Sequence, residues 1–243
     1  MCADDVLEIG EEYEIARGVI IGRRCVLKTL AVLMTATGTP LGTMARGLGQ
    51  LTFEQFLAEV VPVAKRLVAD TSVDGQAAYL KAVASFAVRL ADLSQPKMGD
   101  SGQGVGPGTF IGFHPGGEPF TVLHWRMEPN TQIRTHAHTY GNVVTLGLSG
   151  EALVVNYEID GGPDYQATGG FLARRTMKQR LRAGDTNLVN LGRNYIHGTR
   201  TGRSGARGLD ITTRIRGKEP TPYLVLKDES APVSDASWAF DKA

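Results

Sequence analysis

Pro129-Asn130-Thr131-Gln132-Ile133-Arg134-Thr135-His136-Ala137-His138-Thr139-Tyr140-Gly141-Asn142 is the stretch whose reading decides the fold. It reads as a turn followed by an extended strand. Successive strand side chains alternate faces, so His136 and His138 point the same way, with Cα atoms about 6.5 Å apart. Two imidazoles aimed at one point can share a transition-metal ion or a catalytic proton, or they can be incidental. A third histidine, His197, follows well downstream.

Around this stretch the sequence has the grammar of short strands. Phe120–Arg126, Val143–Leu148, Ala152–Tyr157 and Thr186–Asn190 are apolar or alternating runs bounded by Gly, Pro, Asn or Asp, with no helical pattern between them. Strands at this spacing predict a sandwich or barrel. Thirty glycines agree with many tight turns. A further strand is expected at Tyr223–Leu226, followed by a polar tail over 227–243. Gln95–Gly108, rich in Gly, Pro and Ser, is a linker or loop. Before it the apolar spacing is helical. Phe53, Phe56, Leu57, Val60, Val61 and Ala64 mark one amphipathic helix, with Thr52 as N-cap, Gln55 as its box partner and Pro62 as a kink or stop. Asp70–Gly75 breaks the pattern, and Ala77, Leu80, Val83, Ala84, Ala87, Val88 and Ala91 mark a second helix. The expected organisation is 1–45 an export signal, 46–98 a helical segment, 99–226 the barrel and 227–243 a tail.

Composition excludes several classes of function. With 26 basic and 25 acidic residues the net charge is +1, which gives no electrostatic reason for a nucleic-acid partner. The basic cluster Arg174, Arg175, Lys178, Arg180 and Arg182 lacks interleaved aromatic residues and reads as a solvated hairpin. The two cysteines, Cys2 and Cys25, both lie near the N-terminus, so a metal held in the body of the chain must use nitrogen and oxygen ligands. No catalytic cysteine is available there either.

The acidic leader turns abruptly into Gly22-Arg23-Arg24-Cys25-Val26-Leu27-Lys28, which resembles the twin-arginine export motif. A modestly apolar run, Thr29–Gly42, and Thr43-Met44-Ala45 as a small-residue cleavage site complete the likeness. The run is too short to span a membrane. The resemblance implies the twin-arginine export machinery as a partner and a periplasmic or extracellular location. The competing reading is a buried helix capped by Gly38-Thr39-Pro40 in a cytoplasmic protein.

The HxH stretch followed by Gly150, and Gly184-Asp185 through Gly192 to His197, resemble the two motifs of the cupin superfamily. The likeness covers about half the chain, Phe110 to Arg216. It implies a mainly β fold, a double-stranded β-helix or jelly-roll barrel, with the two helices packed on it and a metal in its mouth. Asn142 stands where four-ligand cupins carry a glutamate, which leaves His136, His138 and His197 as a neutral three-imidazole set. In that respect the chain is similar to the thiol dioxygenases, including cysteine dioxygenase, in which three histidines hold Fe(II). Leu123-His124-Trp125 and the preceding helices also resemble that group. Two departures are plain: the second motif lacks its proline, and Asp210-Ile211-Thr212-Thr213-Arg214 stand where the Ser-x-His-x-Tyr relay of that group would fall.

The resemblance implies Fe(II) as cofactor, with Zn, Ni or Mn as alternatives, and a small-molecule thiol and O2 as substrates. The other classes left open are a cupin that binds a ligand or metal without catalysis, and a Zn or Ni hydrolase or isomerase. Tyr140 and Tyr195 flank the ligands and are candidates for a hydrogen bond to bound oxygen, with plain packing as the competing reading. His124 is a further catalytic candidate, as a donor behind the ligands or a substrate contact, against a core histidine bonded to backbone. Arg126 and Arg134 are candidates for bidentate pairing with a substrate carboxylate, against the ordinary solvated arginine. His114, in a Gly/Pro loop, is read as structural.

Overall fold

The computed structural model describes residues 49–90, 93, 95–102, 105–114, 119–159, 171–216, 223–226 and 237–242. The Arg23-Arg24 motif and the rest of the proposed signal lie outside the described residues, and no described helix is long and apolar enough to cross a membrane.

Two helices lead the described chain. Helix α1, Phe53–Ala69, starts at the expected capping box: the Thr52 hydroxyl accepts from the Gln55 backbone N–H while the Gln55 side chain accepts from that of Thr52. Pro62 lies inside α1 and does not end it. Helix α2, Val73–Ala87, begins earlier than its apolar spacing suggests, because Ser72 caps it through the Gly75 N–H. Their apolar stripes meet in one cluster that includes Phe56, Val60, Leu67, Leu80 and Val83.

The rest is antiparallel sheet. Its strands are β1 Thr109–Phe113, β2 Phe120–Met127, β3 Gln132–Ala137, β4 Gly141–Ile159, β5 Phe171–Arg182, β6 Thr186–Val189, β7 Ile196–Arg214, β8 Leu224–Leu226 and β9 Ser237–Lys242. The hydrogen-bonded order is β1-β2-β7-β4-β5-β9-β8, with β3 on β7 and β6 on β4. The long central strands β4 and β7 run through both halves of the fold. Their first and last parts pair with different neighbours, and a bridge from His136 to Tyr223 brings β3 beside the β8 end of the strand order. This is a double-stranded β-helix of jelly-roll type.

The two runs read separately at Val143–Leu148 and Ala152–Tyr157 belong to one bent strand. Register shifts at Gly147/Ser149 and Gly150/Ala152 bend it. Gly150 adopts φ 69°, and a Cβ there would collide with the Gly205 carbonyl. The tail also departs from the sequence reading: Ser237–Lys242 is a strand that pairs with both β5 and β8. Its anchor is Phe240, fully buried, edge-on to Tyr157 at 5.0 Å and stacked on Phe171 at 5.6 Å.

Strand alternation sorts the faces. Phe120, Val122, Val144, Leu146, Leu209 and Ile211 pack against the helices and form the outer layer of one half. Trp125, Ala152, Val154 and Leu181 form a separate interior cluster. Gly208 lies directly opposite Trp125, and a Cβ on it would meet the Trp125 ring and, at 2.6 Å, the Leu146 carbonyl oxygen. That close approach seats the indole inside the barrel.

Candidate metal centre

β3 and the start of β7 are paired so that His136 stands directly opposite His197. A bulge between Ile133 and His136 re-aims the end of β3, and His138, just past that strand, is tied back by its backbone N–H to the Tyr195 carbonyl at 2.8 Å. The three Nε2 atoms form a small triangle: His136 to His138 3.2 Å, His138 to His197 3.0 Å, and His197 to His136 3.0 Å. Nitrogens at about 2.1 Å from one ion lie ~3.0 Å apart at right angles and ~3.4 Å apart in a tetrahedron. The triangle therefore has the spacing of three ligands on one face of a metal ion.

Protonation agrees with that role. The His136 Nδ1–H donates to the Arg134 carbonyl at 2.8 Å, which leaves the Nε2 lone pair pointing into the triangle. Burial holds the His136 imidazole below its usual value against that hydrogen bond. Burial and then His136 push His138 well below 6.5, and burial with His136 and His138 does the same to His197. All three rings are neutral at physiological pH, the form that coordinates. The Nδ1 atoms of His138 and His197 are buried without a hydrogen-bond partner, so their tautomers lack the support that His136 has.

No carboxylate joins this cluster among the described residues. The reason differs from the one the sequence suggested. Asn142 is fully buried but lies opposite Thr213, whose hydroxyl hydrogen-bonds Tyr79 of α2, so the amide faces the helices. The next position, Val143, is on the other face and offers no ligand.

The remaining candidates are placed less centrally. Tyr140 lies beside the triad, its ring centroid 6.2 Å from that of His138. Tyr195 is buried with its hydroxyl accepting from the Ile159 N–H at 2.7 Å, a packing and strand-end contact. His124 faces the helices, because Trp125 next to it faces the interior. Its Nδ1 lies 3.4 Å from His114 Nε2, and burial, then Arg207 and His114, pushes it down to about 4. His124 is a fully buried core histidine. Arg126 also points outward, exposed, with its guanidinium 4.3 Å over the Phe110 ring. Arg134 is exposed and lies 4.2 Å over the Tyr223 ring. The basic residues of β5 stand along its outer side, where Arg174 pairs with Glu158 and both Arg180 and Arg182 with Glu151.

Two features escaped the sequence reading. Tyr223, expected only to begin a strand, bridges to His136 with its ring 6.0 Å away. A polar row also lines the interior from the triad inward. His197 is opposite Asn156, whose amide exchanges hydrogen bonds with Asn187 at 2.9 and 3.3 Å. Asn187 is opposite Thr145, and Thr145 opposite Asp210. Periodicity alone does not bring together residues from β4, β6 and β7.

No family model and no curated protein matches the chain. Among solved structures it is similar to KdgF from Halomonas sp. (16% identity, TM-score 0.36, covering 49% of this chain and 89% of that one). It is also similar to an RmlC-like cupin from Shewanella frigidimarina (17%, 0.37, 51% and 88%) and to the polyketide cyclase RemF from Streptomyces resistomycificus (15%, 0.40, 58% and 89%). The candidate site stands on the geometry of the three histidines.

Proposed function

We propose that the chain is a metal-dependent cupin oxygenase of thiol-dioxygenase type, with Fe(II) held by His136, His138 and His197, that adds O2 to a small thiol. The observation that carries this reading is the neutrality of the triad: three uncharged nitrogens and no carboxylate within the cluster. Uncharged donors leave the charge of a divalent ion uncompensated, which favours an anionic partner such as a thiolate. Bound iron would supply the activation of O2 that no side chain can provide.

The chain's own contribution is placement and exclusion of water. The Arg134 carbonyl fixes the His136 tautomer, and the paired strands β3 and β7 hold two of the rings rigidly. Trp125, Val154 and Leu181 give the barrel an apolar interior cluster, which would help to exclude water. The reaction balances without an outside reductant. Two S–O bonds form, the thiol proton is released, sulfur loses four electrons and O2 gains four.

A second reading, a zinc or nickel cupin acting by hydrolysis or isomerisation, or one that only binds a ligand, is favoured by one observation: neither Tyr195 nor His124 is free to act at the triad. Metal analysis of protein purified under reducing conditions, followed by oxygen uptake against a panel of small thiols, separates the two. Iron with thiol-dependent uptake supports the oxygenase. Another metal, or iron with no uptake, sinks it. We also propose export through the Arg23-Arg24 motif, and an unchanged location of an Arg23→Lys/Arg24→Lys variant in cell fractionation would reject it.

A further inference from the structure

On the outer face of the sheet, turned away from Trp125, one row of facing residues crosses four strands. Phe110 on β1 stands opposite Arg126 on β2, Arg126 opposite Arg207 on β7, and Arg207 opposite Ser149 on β4. Arg126 and Arg207 are thus like charges directly opposed across an antiparallel pair, which is destabilising, and an anion beside both removes the penalty. Among the described residues no carboxylate fills that place. Arg126 stacks on Phe110 at 4.3 Å, and Arg207 is held by a neutral group: in the amide orientation that satisfies both side chains, the Gln95 oxygen accepts from its two terminal nitrogens at 2.9 and 2.7 Å. Arg174, Arg180 and Arg182 on β5, by contrast, are each matched by a glutamate. Arg207 is also half-buried, its Nε is shielded from water without a hydrogen-bond partner, and its charge is one of the causes that push the neighbouring His124 down. A partly desolvated cation without a counter-ion is costly to the fold.

The same two arginines line an open cleft of about 290 Å³, together with Glu128 and the exposed residues Ser149 and Ser204. At ~30 Å³ for each water molecule this holds about ten waters, or a phosphoryl group and part of the molecule that carries it. Gly150 and Gly205, both at positive φ, supply backbone to its wall and no side chain to fill it. Glu128 is turned toward Gly108, where its Oε2 lies 3.2 Å from the place of a Cβ, and it pairs with neither arginine. We propose that this cleft binds the phosphoryl group of a phosphate monoester, held by Arg126 and Arg207 with the Ser149 and Ser204 hydroxyls as further donors. Two cations fixed side by side match a dianion better than a monoanion. Guanidinium groups pair with phosphate oxygens through two parallel N–H bonds, and a tetrahedral group has oxygens left over for hydroxyl donors from the two turns. None of these residues takes part in the metal centre, so the site is independent of the metal and of the reaction proposed there.

Calorimetric titration of the chelator-treated full chain at neutral pH and low salt tests this, with phenyl phosphate, inorganic phosphate, benzoate and benzyl alcohol as probes. Chelation keeps the probes off any ion at the three histidines. The expected result is saturable binding of phenyl phosphate at one site per chain, inorganic phosphate no tighter, benzoate at least tenfold weaker and benzyl alcohol not measurable. Arg207→Gln and Arg126→Gln should each weaken phenyl phosphate at least tenfold, whereas Arg180→Gln, which removes the same charge from β5, should change it less than twofold. Arg126 is exposed, so its variant keeps the test decisive if Arg207→Gln folds poorly. The proposal is overturned by absence of saturable phenyl phosphate binding, by benzoate binding as tightly, by inorganic phosphate binding more tightly, or by unaltered affinity in Arg126→Gln. Equal weakening by Arg180→Gln also overturns it, because the response would then follow net charge and not the cleft.

Discussion

Lowering the pH from 6 to 5 should destabilise the metal-free protein, and the magnitude follows from the interior. A histidine whose folded value lies below its unfolded one contributes stability that is complete above the unfolded value and is lost as pH falls, because the unfolded chain takes up a proton that the fold refuses. The slope is about 1.4 kcal/mol per pH unit for each such group. His138 and His197 are both held well below 6.5 by burial, so both act in this direction between pH 6 and 5. Asp210 acts in the opposite direction. Its folded value near 6 lies above the unfolded carboxyl, so the fold gains a proton in this window and recovers about 1 kcal/mol. His124, pushed down to about 4, alone loses about 1 kcal/mol and offsets Asp210, so the losses at His138 and His197, with those at His136 and His114, decide the sign and the net change is destabilising. Against a typical domain stability of about 5–15 kcal/mol this is readily measured. Guanidinium unfolding of chelator-treated protein at pH 7, 6 and 5 reads it directly, and Asp210→Asn should steepen the fall by removing the opposing group. Stability that is level, or higher at pH 5 than at pH 6, would refute the claim that these imidazoles are neutral and desolvated in the fold.

Other consequences are more local. His197→Ala should abolish retention of a transition metal through gel filtration, whereas Arg126→Ala, whose side chain points outward, should leave metal content unchanged. Gly208→Ala should cost about 1–3 kcal/mol or more in chemical denaturation, because the new Cβ meets a backbone carbonyl and the Trp125 ring. A Tm unchanged in that variant would show that the indole is not seated against β7. Phe240→Ala should cost about 3–5 kcal/mol, since it empties a fully buried aromatic site. A negligible change would mean that β9 is not part of the barrel's core.

The sequence by itself determined the elements with strong local codes. The capping box at Thr52 and Gln55 starts α1 where expected, because the reciprocal bonds span only three residues. The alternation of β2 and the histidine spacing also act over short range, and the triad was legible because the motif's three imidazoles are conspicuous in a chain with five histidines. Which way a side chain points was not legible in the same way. His124, Arg126 and Asn142 each sit beside residues that face the interior. Strand alternation makes their orientation depend on register, which is set by bulges in β3 and β4 and by pairing across the barrel. Only the tertiary structure decided that these three face outward, that the polar tail returns as β9 on a single buried phenylalanine, and that Asp210 faces inward without a cation. Each outcome depends on contacts between residues far apart in the chain, and no local pattern records them.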